Sequence, residues 1–95
     1  MKVIAIVHRV DRPDEEFAPY LAAEAKEALT MWADDDIREL YSRVDGKGAV
    51  IVFEAVDEAA ADALMKRLPL VQQNLLTYEL YPVKPYRGIA AAAQA

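Results

Sequence analysis

The chain has 95 residues, enough for one domain with its own core and few enough that self-association would add much buried apolar area. A net charge of -5 and a pI near 4.7 exclude nucleic acid or an anionic membrane as the main partner, since both demand a basic face that eleven scattered Lys and Arg do not supply. With no cysteine and with His8 as the one histidine, a disulfide framework, a thiolate nucleophile and a Cys- or His-rich metal site are excluded, and the expectation is chemistry on a small molecule without a cofactor.

The N-terminal MKVIAIVHRV is apolar for only five residues, has no small-residue cleavage site, and no apolar run approaches the length of about 20 that spans a bilayer, which predicts a cytoplasmic protein. Val3 to Val10 is β-branched and nearly continuously apolar, as suits a central strand covered on both faces. Asp11-Arg12-Pro13 breaks it. Asp14, Glu15 and Glu16 then place three carboxylates in a first helical turn, where the amide dipoles favour them. The helix is predicted to run to about Trp32, with Phe17, Leu21, Ala25, Ala28 and Trp32 toward a sheet, Tyr20 and Met31 on the flank, and Pro19 tolerated near the start. Asp34-Asp35-Asp36 ends it, read as a solvated turn.

A β-hairpin follows. Ile37 to Val44 and Ala49 to Ala55 flank Asp45-Gly46-Lys47-Gly48, whose glycines supply the positive φ a reversal needs. Pairing Val44 with Ala49 puts Leu40, Ser42, Ile51 and Phe53 on a core face, and Glu39, Tyr41, Arg43, Val50, Val52 and Glu54 on the other. Asp57 is the expected N-cap of a second helix that carries Ala61, Leu64, Met65 and Leu68 inward and stops at Pro69. The alternating Leu75 to Val83 is the last strand, Pro82 and Pro85 extend an arm through Ile89, and AAAAQA closes the chain.

The order β-α-β-β-α-β predicts an α+β, ferredoxin-like fold: a four-stranded antiparallel sheet, strands 1 and 3 central, two helices on one face. Residues 1–89 are read as one such domain and 90–95 as a flexible Ala-rich tail. The uncovered face of strands 1 and 3 predicts a homodimer that packs sheet on sheet.

Seven residues are candidates for chemistry. Glu24 lies about 20° from Phe17 on the helical wheel, inside the apolar arc, where a carboxylate must be paired or line a cavity; it is a candidate general acid or base, or an inward Glu bound to Arg43, Tyr41 or a backbone group. His8 follows Ile4 and Ile6 on strand 1 and is the second candidate for proton transfer. Tyr41, Arg43 and Glu54 form the polar face of the hairpin, as a cleft wall or as interface ion pairs. Trp32 and Tyr20 are candidates to line a pocket for a planar ligand.

The run from Glu24 through the last strand resembles the muconolactone isomerase-like branch of the dimeric α+β barrel superfamily. The residues that carry the resemblance are Glu24 in the first helix, Tyr41-Ser42-Arg43 at the end of strand 2, Phe53-Glu54 at the end of strand 3, and Arg67-Leu68-Pro69-Leu70 before the last strand. It implies a subunit that dimerises through its sheets, with a cavity between sheet and helices. It also implies cofactor-free proton transfer, of isomerase or lyase type, on a small unsaturated and anionic substrate. Glu24 or His8 would move the proton, while Arg43 and Tyr41 hold a carboxylate or enolate. A cofactor-independent oxygenase or cyclase acting on an aromatic polyketide-like ligand, favoured by a pocket of Trp32 and Tyr20, and a non-catalytic binding or assembly subunit are the alternatives.

Overall fold

The computed structural model describes residues 1–94. Four strands, β1 (Lys2–Arg9), β2 (Ile37–Ser42), β3 (Gly48–Glu54) and β4 (Leu76–Val83), form one sheet in the order β2-β3-β1-β4, every neighbouring pair antiparallel. The helices are α1 (Asp14–Phe17), α2 (Leu21–Ala33), α3 (Glu58–Met65), α4 (Pro69–Gln72) and α5 (Arg87–Ala93). This is the ferredoxin-like α+β plan, with β1 and β3 central as their unbroken apolar character requires.

Alternation sorts the strands into two faces. Val3, Ala5 and Val7 of β1 and Ile51 and Phe53 of β3 are buried, and with Met31, Ile37, Ala61, Met65 and Leu68 they form the core between sheet and helices. The opposite face carries Ile4, Ile6 and Val50, each partly buried, with Val52 buried and Tyr81 52% exposed.

The hairpin is shorter than its sequence suggests. Ser42, not Val44, pairs with Ala49, because Arg43 leaves the ladder to donate its amide to the Gly48 carbonyl while the Gly46 amide donates to the Arg43 carbonyl. From Glu39 onward the register moves by two residues, so those side chains keep their predicted faces, whereas the bulge between Ile37 and Glu39 turns Ile37 into the core. Gly48 is obligatory for a steric reason: a Cβ there would lie 1.8 Å from the Val7 carbonyl oxygen.

The first helix departs more. It is interrupted at Ala18–Tyr20 by a 3₁₀ turn centred on Pro19, which cannot donate a backbone hydrogen bond. A turn of about 3.0 instead of 3.6 residues advances the phase of everything after it. The inward stripe of α2 is therefore Glu24, Glu27, Ala28 and Met31, whereas Leu21 and Trp32, expected inward, are 53% and 50% exposed.

Four helix ends follow cap chemistry. The Asp57 carboxylate accepts the Ala60 amide at 2.8 Å, as expected of the N-cap. Asp34-Asp35-Asp36 is more than a solvated turn: Asp35 is left-handed (φ 63°) and the Asp36 amide reaches back to the Met31 carbonyl. Pro69 does not merely stop α3, which ends at Met65; it opens α4 at the position where a missing N–H costs nothing. Asn74, at φ 58°, closes α4, and the Leu75 amide returns to the Leu70 carbonyl while both leucines pack with Phe17. Asn74→Gly should leave thermal stability nearly unchanged and Asn74→Val should cost about 1–2 kcal/mol, read from chemical denaturation.

Beyond β4 the expected extended arm is confined to the residues around Pro85. Arg87–Ala93 is helical, since alanine is the strongest helix former and Pro85 bars nothing downstream of it. Part of the stretch read as a flexible tail thus lies in α5, and Ala95 lies outside the described residues.

Candidate functional site

Where α2 crosses above β2 and β3, it leaves a groove of about 480 Å³ along the edge of the sheet. Leu21, Ala25 and Ala28 form its roof, and Val7, Ala49, Ile51 and Leu40 its floor. Tyr41 and Ser42 close the strand side. Glu24 is the one acidic residue in this lining. Its Oε1 accepts the Leu70 amide at 2.9 Å, from the first turn of α4. Burial raises the Glu24 carboxyl above its ordinary value of 4.5, and the Leu70 hydrogen bond offsets only part of that.

The next turn of the same stripe shows what a structural glutamate looks like. Glu27 receives Arg67 through Nη2 at 2.6 Å and Nε at 2.8 Å, so its charge is matched. Glu24 has no cation within ion-pairing distance among the described residues. Two inward carboxylates one turn apart thus differ: one is neutralised by an arginine, the other is left half-buried against an apolar groove. The 3₁₀ turn is what brings Glu27 inward.

His8 and Arg43 are on the other side of the sheet. Val7 faces the groove, so His8, the next residue, points away from it. There it forms a chain of polar groups. His8 Nε2 lies 2.6 Å from Glu79 Oε2, Nδ1 lies 2.8 Å from Arg43 Nη1, and Arg43 Nη2 donates to Asp45 Oδ2 at 2.6 Å. A guanidinium has no acceptor, so Nδ1 must accept from it; the ring hydrogen is on Nε2 and is donated to Glu79. Asp45 Oδ1 also accepts the Lys47 amide, and that bond, followed by the one from Arg43, holds its carboxyl below the ordinary range.

Tyr41 is 54% exposed, and its hydroxyl donates to Glu39 Oε1 at 2.6 Å; that bond raises the phenol. It borders the groove yet holds no contact with Arg43 through its hydroxyl. Trp32 lies outside the groove lining, at the exposed end of α2. Tyr20 packs with Phe17, Leu70 and Leu75 instead. Glu54 binds the amino group of Met1 at 2.8 Å, six residues along β3 from Gly48, which is about 20 Å at strand spacing.

The residues predicted to act together therefore fall into separate places. Glu24 lies in the groove, whose edge Tyr41 borders; His8 and Arg43 share the open face, with Glu54 at its far end beside Lys2; Trp32 and Tyr20 belong to neither. Glu79 and Asp45 were missed. Glu79 had a signal, because strict alternation in β4 puts Thr77 and Glu79 on one face, and antiparallel pairing with β1 sets Thr77 opposite His8.

No protein-family model and no curated protein matches the chain. Among solved structures, 5-chloro-2-hydroxyhydroquinone dehydrochlorinase (TftG) from Burkholderia phenoliruptrix AC1100, in complex with 2,5-dihydroxybenzoquinone, is similar at a TM-score of 0.69 and 16% identity. The match covers 93% of this chain and 98% of that one. At such identity the likeness is one of fold. No helix among the described residues is long and apolar enough to cross a membrane.

Proposed function

We propose that the chain is an enzyme of isomerase or lyase type that binds a small unsaturated, anionic organic compound in the α2 groove and moves a proton with Glu24, without a cofactor. The observation that carries this is the Glu24 carboxyl, raised by burial and set in an apolar groove of about 480 Å³ with no cation to neutralise it among the described residues. Its one partner is the Leu70 amide, the backbone contact that a purely structural glutamate would also make; what sets it apart from Glu27 is the missing cation. A carboxyl raised above its ordinary value is suited to take a proton from carbon and give it back, the requirement for moving a double bond from the β,γ position into conjugation with a carbonyl. The carboxylate accepts the α-proton, the electrons pass into the enolate, and the same carboxyl returns the proton to the γ-carbon. Nothing is consumed. The fold it shares with a dehydrochlorinase crystallised with a hydroxyquinone supports the same substrate class.

The test uses solvent deuterium. Unsaturated lactones and hydroxyquinones are incubated with the protein in D₂O, and carbon-bound deuterium is followed by NMR. Enzyme-dependent incorporation that disappears in Glu24→Gln supports the proposal; incorporation that persists in that variant contradicts it.

The oxygenase or cyclase alternative loses the feature that favoured it, since Trp32 and Tyr20 lie outside the groove. A binding or assembly subunit is favoured by a different observation, the mutual satisfaction of Glu79, His8, Arg43 and Asp45 on the open face.

We also propose that the open face packs on a second copy, because Ile4, Ile6, Val50, Val52 and Tyr81 form an apolar strip on the side of the sheet opposite the core. Light scattering should return twice the 10.6 kDa chain mass. A monomer at micromolar concentration would contradict this.

A further inference from the structure

We infer that the hairpin end of the open sheet face is a second binding site, which takes up a small organic carboxylate together with a proton: Arg43 binds the anion, His8 accepts the proton, and Glu79 is the positioning residue. The site lies across the sheet from Glu24 and does not depend on the reading of that groove.

Arg43 is held in a way that a ligand can improve. Its Nη2 meets Asp45 at 2.6 Å through a single oxygen, while Nη1 is divided between the Val7 carbonyl at 3.3 Å and His8 Nδ1 at 2.8 Å. The Asp45 side chain, on an exposed turn, thus occupies half of a guanidinium fork that a free carboxylate would fill with two parallel hydrogen bonds.

The coupling to a proton follows from hydrogen-bond bookkeeping. While Nη1 donates to Nδ1, that nitrogen cannot carry a hydrogen without setting two donors against each other. When a carboxylate takes both Nη groups, Nδ1 loses its donor and faces a new negative charge, while Nε2–H remains fixed on Glu79. The imidazole then gains a hydrogen at Nδ1. By linkage the effect is reciprocal, so carboxylate binding strengthens as the solution becomes more acidic. The charged groups facing the ring are Glu79 from β4 and Arg43 and Asp45 from the hairpin, with the Tyr41–Glu39 pair further along β2; its cross-strand neighbours Gly48 and Thr77 are uncharged.

Because His8 is the sole histidine, its ring nitrogens give unambiguous signals in the ¹⁵N-labelled full chain. Without added anion near neutral pH, Nε2 should be the protonated nitrogen and Nδ1 the unprotonated one. Sodium benzoate, against sodium chloride at equal ionic strength, should move Nδ1 into the protonated region and take up protons in unbuffered solution. Arg43→Lys, which keeps the charge and loses the fork, should weaken the benzoate response at least tenfold. Glu79→Gln should bind benzoate with a smaller proton uptake. Hydrogen on Nδ1 before any anion is added, a benzoate response no larger than that to chloride, or an undiminished response in Arg43→Lys would each overturn the inference.

Discussion

Glu24→Gln is expected to lower turnover by about 10²–10⁴-fold, the range that a positioned acid or base contributes, while leaving the fold intact. The variant is informative because glutamine preserves shape and can still accept the Leu70 amide through its side-chain oxygen. What it removes is ionisation. The same change carries a stability signature whose sign is set by burial. A carboxyl raised in the folded state above its ordinary 4.5 binds its proton more tightly folded than unfolded. Its contribution is therefore most favourable below 4.5 and is lost as pH rises through the raised value. Glu24→Gln should accordingly be close to wild type in stability at acidic pH and more stable near neutrality, with the gap opening above 4.5 in denaturation series. Natural sequences keep such a penalty where a group has work to do.

Phe53→Ala should cost about 3–5 kcal/mol in equilibrium unfolding, the largest stability effect expected of a single side chain here. Phe53 is fully buried, sits opposite Val3 in β1 and opposite Ile37 in β2, and belongs to the core that Met31 and Met65 close from above. Removing its ring leaves a cavity between three strands and two helices, none of which can collapse into it independently. Val52, its neighbour in sequence, faces the other way. In an isolated subunit Val52→Ala should cost only about 1 kcal/mol. If the open face is buried against a second copy, the Val52 cost grows and the melting temperature of the wild type becomes dependent on protein concentration, which that of a monomer is not.

What the sequence reveals and conceals depends on how local each determinant is. The strand order follows from the apolar continuity of β1 and β3 against the alternation of β2 and β4, and the structure agrees in every pairing. The faces of the hairpin from Glu39 onward were legible even though its loop was not, because the register there moved by two residues and parity survived; the bulge that turns Ile37 inward carried no sequence signal. The helix was different. One 3₁₀ turn at Pro19 rotated α2, exposed Trp32 and Leu21, and brought Glu27 inward, and no periodicity counted from Phe17 can show a phase change that depends on how the turn closes. Glu24 kept an inward position on either phase. The groove itself was invisible, since it depends on how α2 lies across the edge of the sheet. That His8 and Glu24 occupy opposite faces was implicit in the alternation at Val7, but only once the packing of α2 on the Val7 side was known.

The most direct test of Glu24 as the working carboxyl of the groove is a titration of its side-chain carboxyl carbon by ¹³C NMR, with and without 2,5-dihydroxybenzoquinone. The predicted result is a midpoint above 4.5 in the free protein and a further change in that midpoint when the ligand is present. A midpoint at the ordinary glutamate value, unmoved by the ligand, would contradict it.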